Sequence, residues 1–225
     1  MVKTQNHCIR CGECCIRSSP TLHVGDLHLI AEGAIARQDL YTIRNGELVW
    51  DNIMGALIVT REEMIKIREK EEGSCLYYND ADKACEIYEK RPAQCSAMAC
   101  WDSERFMKVF REPKLTRKDI IKDPVLAALM GTHETKCGYA AMERHVRHIE
   151  LEGDKAVAAI IQILRFDNRL RPYLSQNLNV DPKEMDFIFG RSMIDTVVMF
   201  GLKVERESDG SFYLTALPRK TGSKI

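Results

Sequence analysis

The hydrophobic pattern changes character along the chain. In the first 140 residues apolar positions come in short runs. Leu27, Leu29, Ile30 and Ala31 predict a brief helix within 25–36, with Asp26 at its start and Gly33 weakening its end. Tyr41–Arg44 and Glu47–Trp50 flank Asn45-Gly46, a pair that predicts a turn or hairpin between β-favouring runs. Met64–Arg68 alternates as a strand does. Cys75–Tyr78 and Ala84–Tyr88 flank the turn 79–83 and predict a second hairpin, with Cys75 and Cys85 facing each other across it. Arg91-Pro92 then opens a helix, because proline suits a first helical turn, and Cys95 falls one turn in. Short helices are expected over Thr116–Lys122 and Val125–Met130.

From Gly138 the period lengthens. Met142, His145, Val146 and Ile149 share a helical face, and long helices are predicted over Lys155–Leu174 and Pro182–Phe200, the latter ended by Gly201. The apolar run Ala156–Leu164 reads as buried core. Leu202–Arg206 and Ser211–Thr215 flank Asp209-Gly210, a hairpin signal, and the basic stretch from Pro218 to Ile225 is expected to fray. The fold class is α+β: an irregular cysteine-rich N-terminal half with short strands, then a helical C-terminal half ending in a β-hairpin. The division expected is 1–140 for a metal-binding domain and 141–225 for the helical region.

Composition narrows the function. With 33 basic and 33 acidic residues the chain has no formal net charge, which argues against a nucleic-acid partner. The N-terminus carries no apolar signal core and no run of 18 apolar residues occurs, so the expectation is a cytoplasmic protein with no membrane contact. Nine cysteines without an export signal point to metal or redox chemistry rather than disulfides.

Eight of the nine fall in two groups: Cys8, Cys11, Cys14 and Cys15, then Cys75, Cys85, Cys95 and Cys100. A Cys-x2-Cys loop brings two sulfurs to one metal, and Gly12 lets the backbone bend beneath them. Cys8, Cys11 and Cys14 match the start of a bacterial ferredoxin run, but Cys15 follows at once where that run needs a fourth cysteine three residues on and then proline. The ferredoxin reading therefore fails. Adjacent side chains diverge, so Cys14 and Cys15 are expected to serve different sites, or one of them a structural role. One four-thiolate centre with spare thiols and two such centres both remain open.

Cys8-x2-Cys11-Gly12-x-Cys14-Cys15, followed by Cys75-Leu76-Tyr77-Tyr78 and by Cys85-x-Ile87-Tyr88-Glu89-x-Arg91-Pro92-x2-Cys95, resembles the CxxCxxCC family, the YkgJ-type zinc- or iron-chelating domain. The likeness covers about residues 7–101. It implies a cytosolic, cysteine-ligated metal or iron–sulfur domain and fixes no single reaction. Some members resemble flagellin lysine methylases. Many read Arg-x-Phe-Pro after the cysteine equivalent to Cys95, whereas this chain has Ser96-Ala97-Met98-Ala99-Cys100, which makes Cys100 the least secure ligand.

Outside that pattern, His133 and Cys137 lie four apart and could share a metal on one helix face. His145 and His148, interleaved with Arg144 and Arg147, read as a solvated helix face, and Tyr77, Tyr78 and Tyr88 as packing. Arg91 is either structural or a hydrogen-bond donor to a cluster sulfur. No phosphate loop, dinucleotide fingerprint or nucleophile elbow is present. Three closely spaced thiolates on one loop favour iron–sulfur, of the 4Fe-4S type, over zinc. The function expected is a cysteine-ligated metal protein serving electron transfer or supporting a redox enzyme. The alternatives are an enzyme using the metal at a pocket facing the C-terminal helices, and a structural zinc module for protein interaction.

Overall fold

The computed structural model describes residues 9–206 and 212–218. Among these residues eight strands pair as four separate two-stranded antiparallel sheets. β1 (Leu40–Ile43), β2 (Leu48–Asp51), β3 (Ala56–Val59) and β4 (Met64–Ile67) pair β1 with β4 and β2 with β3; β5 (Tyr78–Asn79) pairs with β6 (Ala84–Cys85), and β7 (Leu202–Arg206) with β8 (Phe212–Ala216). With the helices below, the fold is α+β. The turn at Asp209-Gly210, the fraying expected beyond Pro218 and Cys8 lie outside the described residues.

The chain forms two compact units, each made of two segments. The first comprises residues 1–43 and 63–122, the second 44–62 and 123–225. Residues 44–62 and 123–140, expected alongside the cysteines, thus group with the helical region. The Asn45-Gly46 turn does not join a hairpin: β1 pairs with β4, and β2 with β3. Gly46 N–H instead donates to the Thr60 carbonyl, and the Glu47 carboxylate accepts Arg44 N–H.

The first unit is built on the β1–β4 ribbon, which pairs Leu40 with Ile67 and Thr42 with Ile65. Leu22, Leu29, Ile35, Leu40, Ile65, Ile67 and Leu115 are buried around it. Its helices are short: α1 (Glu13–Arg17), α2 (Leu27–Ala31), α3 (Ala93–Ala97), α4 (Glu104–Phe110) and α5 (Arg117–Ile120). Thr116 and Asp119 form a reciprocal cap on α5.

The second unit holds the longer helices α6 (Pro124–Cys137), α7 (Tyr139–Arg147), α8 (Ile149–Glu152), α9 (Asp154–Asn177), α10 (Met185–Phe189) and α11 (Met193–Thr196). Asp123 caps α6 by accepting the Val125 and Leu126 amides, with Pro124 at its first position. Met142, Ile160, Leu164, Met193, Val197, Leu202 and Phe212 form one core, so α9 and the β7–β8 hairpin bury each other's apolar faces.

The single helix expected over 182–200 is broken. Gly190 takes φ +76, and a Cβ there would stand 2.8 Å from Arg44 Cγ. The chain turns at Gly190 to make room for that buried arginine, and α11 restarts with Ser192 as its cap. No described helix is long and apolar enough to cross a membrane.

Candidate metal centre

Seven of the eight candidate cysteines fall within the described part of the first unit. Cys11 is exposed just before α1, and Cys14 and Cys15 are consecutive residues of α1. Gly12 starts that helix at φ +81, and its carbonyl accepts the Cys15 and Ile16 amides. The Tyr78 ring fills the space a Cβ would need, with Cε2 2.7 Å from the Cβ position. Both backbone angle and crowding therefore demand glycine within the cysteine run.

The buried Cys75 is tied to α1 directly, since its N–H donates to the Cys15 carbonyl at 2.7 Å. Cys85 lies on β6, and its cross-strand partner is Tyr78 rather than Cys75. The hairpin is shorter than the sequence suggested because Cys75 is drawn into an isolated bridge with Glu69. The backbone two residues downstream, at Tyr77 for Cys75 and at Ile87 for Cys85, works against burial and favours each thiolate, as an amide hydrogen bond to sulfur does. Such bonds favour thiolate and are a common support for metal-bound sulfur.

Cys95 sits in the first turn of α3, whose position is set from far away in sequence. Pro92 precedes the helix and cannot cap it with a side chain. Asp26 does so instead: one carboxylate oxygen accepts Ala93 N–H at 2.8 Å and the other accepts His23 N–H at 2.8 Å. Gln94 adds a second anchor by accepting Thr21 N–H at 2.9 Å. Neither role was visible in local sequence. Glu69 similarly fixes the segment after α1 by accepting the Ser19 amide and hydroxyl, each at 3.0 Å. Cys100 lies exposed in the turn after α3.

The Cys14 and Cys15 sulfurs are 3.9 Å apart, so they converge rather than diverge. A tetrahedral ion with metal–sulfur bonds near 2.3 Å spaces its ligand sulfurs by roughly 3.8 Å, which this pair matches. One of the two thiols donates to the other. The hydrogen bond from Cys15, helped by the amides of Cys14 and Cys15 and by Arg91, holds Cys14 down at about 6, while Cys15 is pushed far up. Burial raises Cys75, Cys85 and Cys95, and the neighbouring thiols add to that rise. Thus Cys14, Cys15, Cys75, Cys85 and Cys95 lie within one another's electrostatic reach. Among the described residues no three His, Cys, Asp or Glu side chains converge on a single-ion position.

Arg91 lowers the pKa of Cys14, Cys85 and Cys95. Its guanidinium lies 3.7 Å from the centroid of the Tyr88 ring, which Arg10 also covers at 4.1 Å. Arg91 Nε is buried with no hydrogen-bond partner among the described residues. A buried, unspent donor beside several thiols suits an anionic thiolate centre, as does the soft donor set itself.

Residues 7–113 match the family described as "CxxCxxCC: Putative zinc- or iron-chelating domain". This segment belongs to the CxxCxxCC family. No curated protein and no solved structure matches the chain. The CxxCxxCC segment contains all eight cysteines of the two groups, and metal chelation is the property the family carries.

His133 and Cys137 lie in the second unit, with their polar atoms engaged there. His133 Nε2 bonds Asp167 Oδ1 at 2.8 Å, its Nδ1 is 3.5 Å from Arg44 Nη1, and the Cys137 thiol, pushed up to about 12 by burial, donates to the Ile163 carbonyl. This network, with Arg171 bound to Asp167 and Asp186, replaces the metal pair that their i, i+4 spacing allowed. A groove of about 560 Å³ runs along α9 past Arg165, Phe166, Arg169 and Tyr173, and no cysteine lines it.

Proposed function

We propose that the first unit holds a cysteine-ligated iron–sulfur centre of the 4Fe-4S type and serves electron transfer, directly or as an accessory to a redox enzyme. The ligands are drawn from Cys14, Cys15, Cys75, Cys85 and Cys95 together with Cys8 and Cys11, with Cys100 as a spare thiol. The observation that carries this reading is that Cys14, Cys15, Cys75, Cys85 and Cys95, brought from α1, β6, α3 and the segment before β5, shift one another's titration. A polynuclear cluster interposes its own iron and sulfide between ligands, and so holds thiolates farther apart than one ion does. When bound, such a cluster supplies one-electron chemistry. Exposure of Cys11 and Cys14 leaves a short path to the surface for exchange with a protein partner. Arg91 Nε, a buried donor with no partner among the described residues, would donate toward the thiolate charge and so favour the more negative, reduced form.

A second reading rests on the Cys14–Cys15 pair, whose 3.9 Å separation is the edge of a single tetrahedral ion. Anaerobic purification followed by visible absorption and electron paramagnetic resonance after dithionite reduction separates the two. The cluster reading expects a brown protein with a broad blue-region band and a reduced paramagnetic signal. A colourless, diamagnetic protein carrying zinc overturns it in favour of the single-ion reading.

A further inference from the structure

The β2–β3 hairpin breaks the usual rule that a ribbon hides its apolar face. Residues directly opposite in an antiparallel pair, and residues two apart on one strand, lie on the same side. The register Leu48↔Val59 and Trp50↔Leu57 therefore puts Leu48, Trp50, Leu57 and Val59 on one face. Trp50 is 59% exposed, Leu57 61% and Val59 58%, and Met54 at the tip is 70% exposed. The opposite face, with Val49 and Ile58, is the more buried one. In the same unit the β7–β8 hairpin packs on α9, whereas among the described elements β2 and β3 contact chiefly each other.

We infer that this face is where two copies of the chain pair, hairpin against hairpin about a two-fold axis. The occupant follows from charge and area. The face carries no ionic side chain: Asp51 lies on the other side and is occupied in the turn, accepting the Ile53 and Met54 amides. The residues following β3, Arg61 and Glu62, are of opposite sign, so the rim has no net charge. Nothing there selects a strongly charged partner or repels an identical face. The exposed apolar area is of the order of 500 Å², near the upper end of what a monomer normally leaves bare. Two such faces together bury on the order of 1,000 Å², the lower bound for a specific interface. A two-fold contact is self-complementary, placing Trp50 of each copy within the apolar patch of the other.

The test uses the full chain under reducing conditions, so that no intermolecular disulfide contributes. Sedimentation across roughly 1–200 µM should show a monomer–dimer equilibrium. Leu57→Glu should weaken it by at least about a hundredfold, because the dimer would bury an unpaired carboxylate. Trp50→Gln guards against a folding defect, with far-UV circular dichroism required to match the parent in both variants. In a Trp101→Phe background, Trp50 is the sole tryptophan, and its emission should shift to the blue as concentration rises. A chain that stays monomeric over the range overturns the proposal, as does a dimer that Leu57→Glu leaves intact. Binding of lipid vesicles by a strictly monomeric chain overturns it likewise.

Discussion

Gly12 is the residue on which sequence and site agree most closely. The run Cys11-Gly12-Glu13-Cys14-Cys15 marks a metal loop, and the fold adds the reason glycine is needed: a left-handed angle, and a tyrosine ring where Cβ would be. Gly12→Ala should destabilise the first unit by about 2–4 kcal/mol and lower metal content with it; thermal unfolding and metal analysis of the variant check this. The thiols make a second prediction. The hydrogen bond with Cys14 raises the pKa of Cys15, and burial raises Cys75, Cys85 and Cys95, so all four favour the thiol at neutral pH. A metal must displace those protons, and apparent affinity should fall steadily as pH falls from 8 towards 6. Calorimetric titration in two buffers of different ionisation enthalpy should report release of more than one proton per site. A buffer-independent heat would contradict this. Other roles at this scale were hidden. Asp26 lies 67 positions from the amide it caps, and Glu69 lies 50 from Ser19, so no local pattern reveals either.

At the scale of elements, α3 shows how a five-residue helix carrying a candidate ligand, Cys95, is held in place. Its own sequence supplies no side-chain cap, because Pro92 occupies the position where serine or aspartate would serve. Asp26→Ala should therefore cost about 1–3 kcal/mol and loosen Cys95, leaving the Ala93 amide unpaired. Hydrogen exchange of residues 93–97, faster in the variant than in the parent, is the measurement. The long amphipathic helices and the terminal hairpin were legible because their periods run long enough to declare themselves. Two elements were not. The 182–200 helix breaks at Gly190 because Arg44, 146 residues earlier, occupies the space beside it. The Asn45-Gly46 pair predicts a turn or hairpin, yet its flanking runs find other partners, β4 and β3, which only long-range pairing decides.

For the whole molecule, the two units carry different chemistry and should answer to different perturbations. The second is held by buried charge. Burial lowers the His133 pKa below its ordinary 6.5, despite the Asp167 hydrogen bond. Burial would raise Asp167, but the His133 hydrogen bond and Arg171 outweigh it and hold the carboxyl at about 2. Both folded values lie below the unfolded ones. The stability these groups contribute is therefore present above the unfolded pKa and lost as pH falls, first below about 6.5 through His133 and then below about 4 through Asp167. The second unit's transition should move down in temperature between pH 7.5 and 5, while a chelator at pH 7.5 should move only the first unit's. A single transition shifted equally by acid and chelator would contradict this. The family segment was readable from its first cysteine run together with the later Cys85-x-Ile87-Tyr88-x-x-Arg91-Pro92-x-x-Cys95 motif, because both are local in sequence. The division into units was not, because residues 44–62 leave the first segment and return to it.

The central claim is that the first unit's thiols build the metal centre, and metal content per chain in single cysteine variants tests it most directly. Iron, acid-labile sulfide and zinc are measured on anaerobically purified parent, Cys95→Ser, Cys100→Ser and Cys137→Ser. The account predicts about four irons and four sulfides per chain in the parent, a drop of most of that content in Cys95→Ser, and parental content in the other two. Parental metal in Cys95→Ser, or its loss in Cys137→Ser, would contradict it.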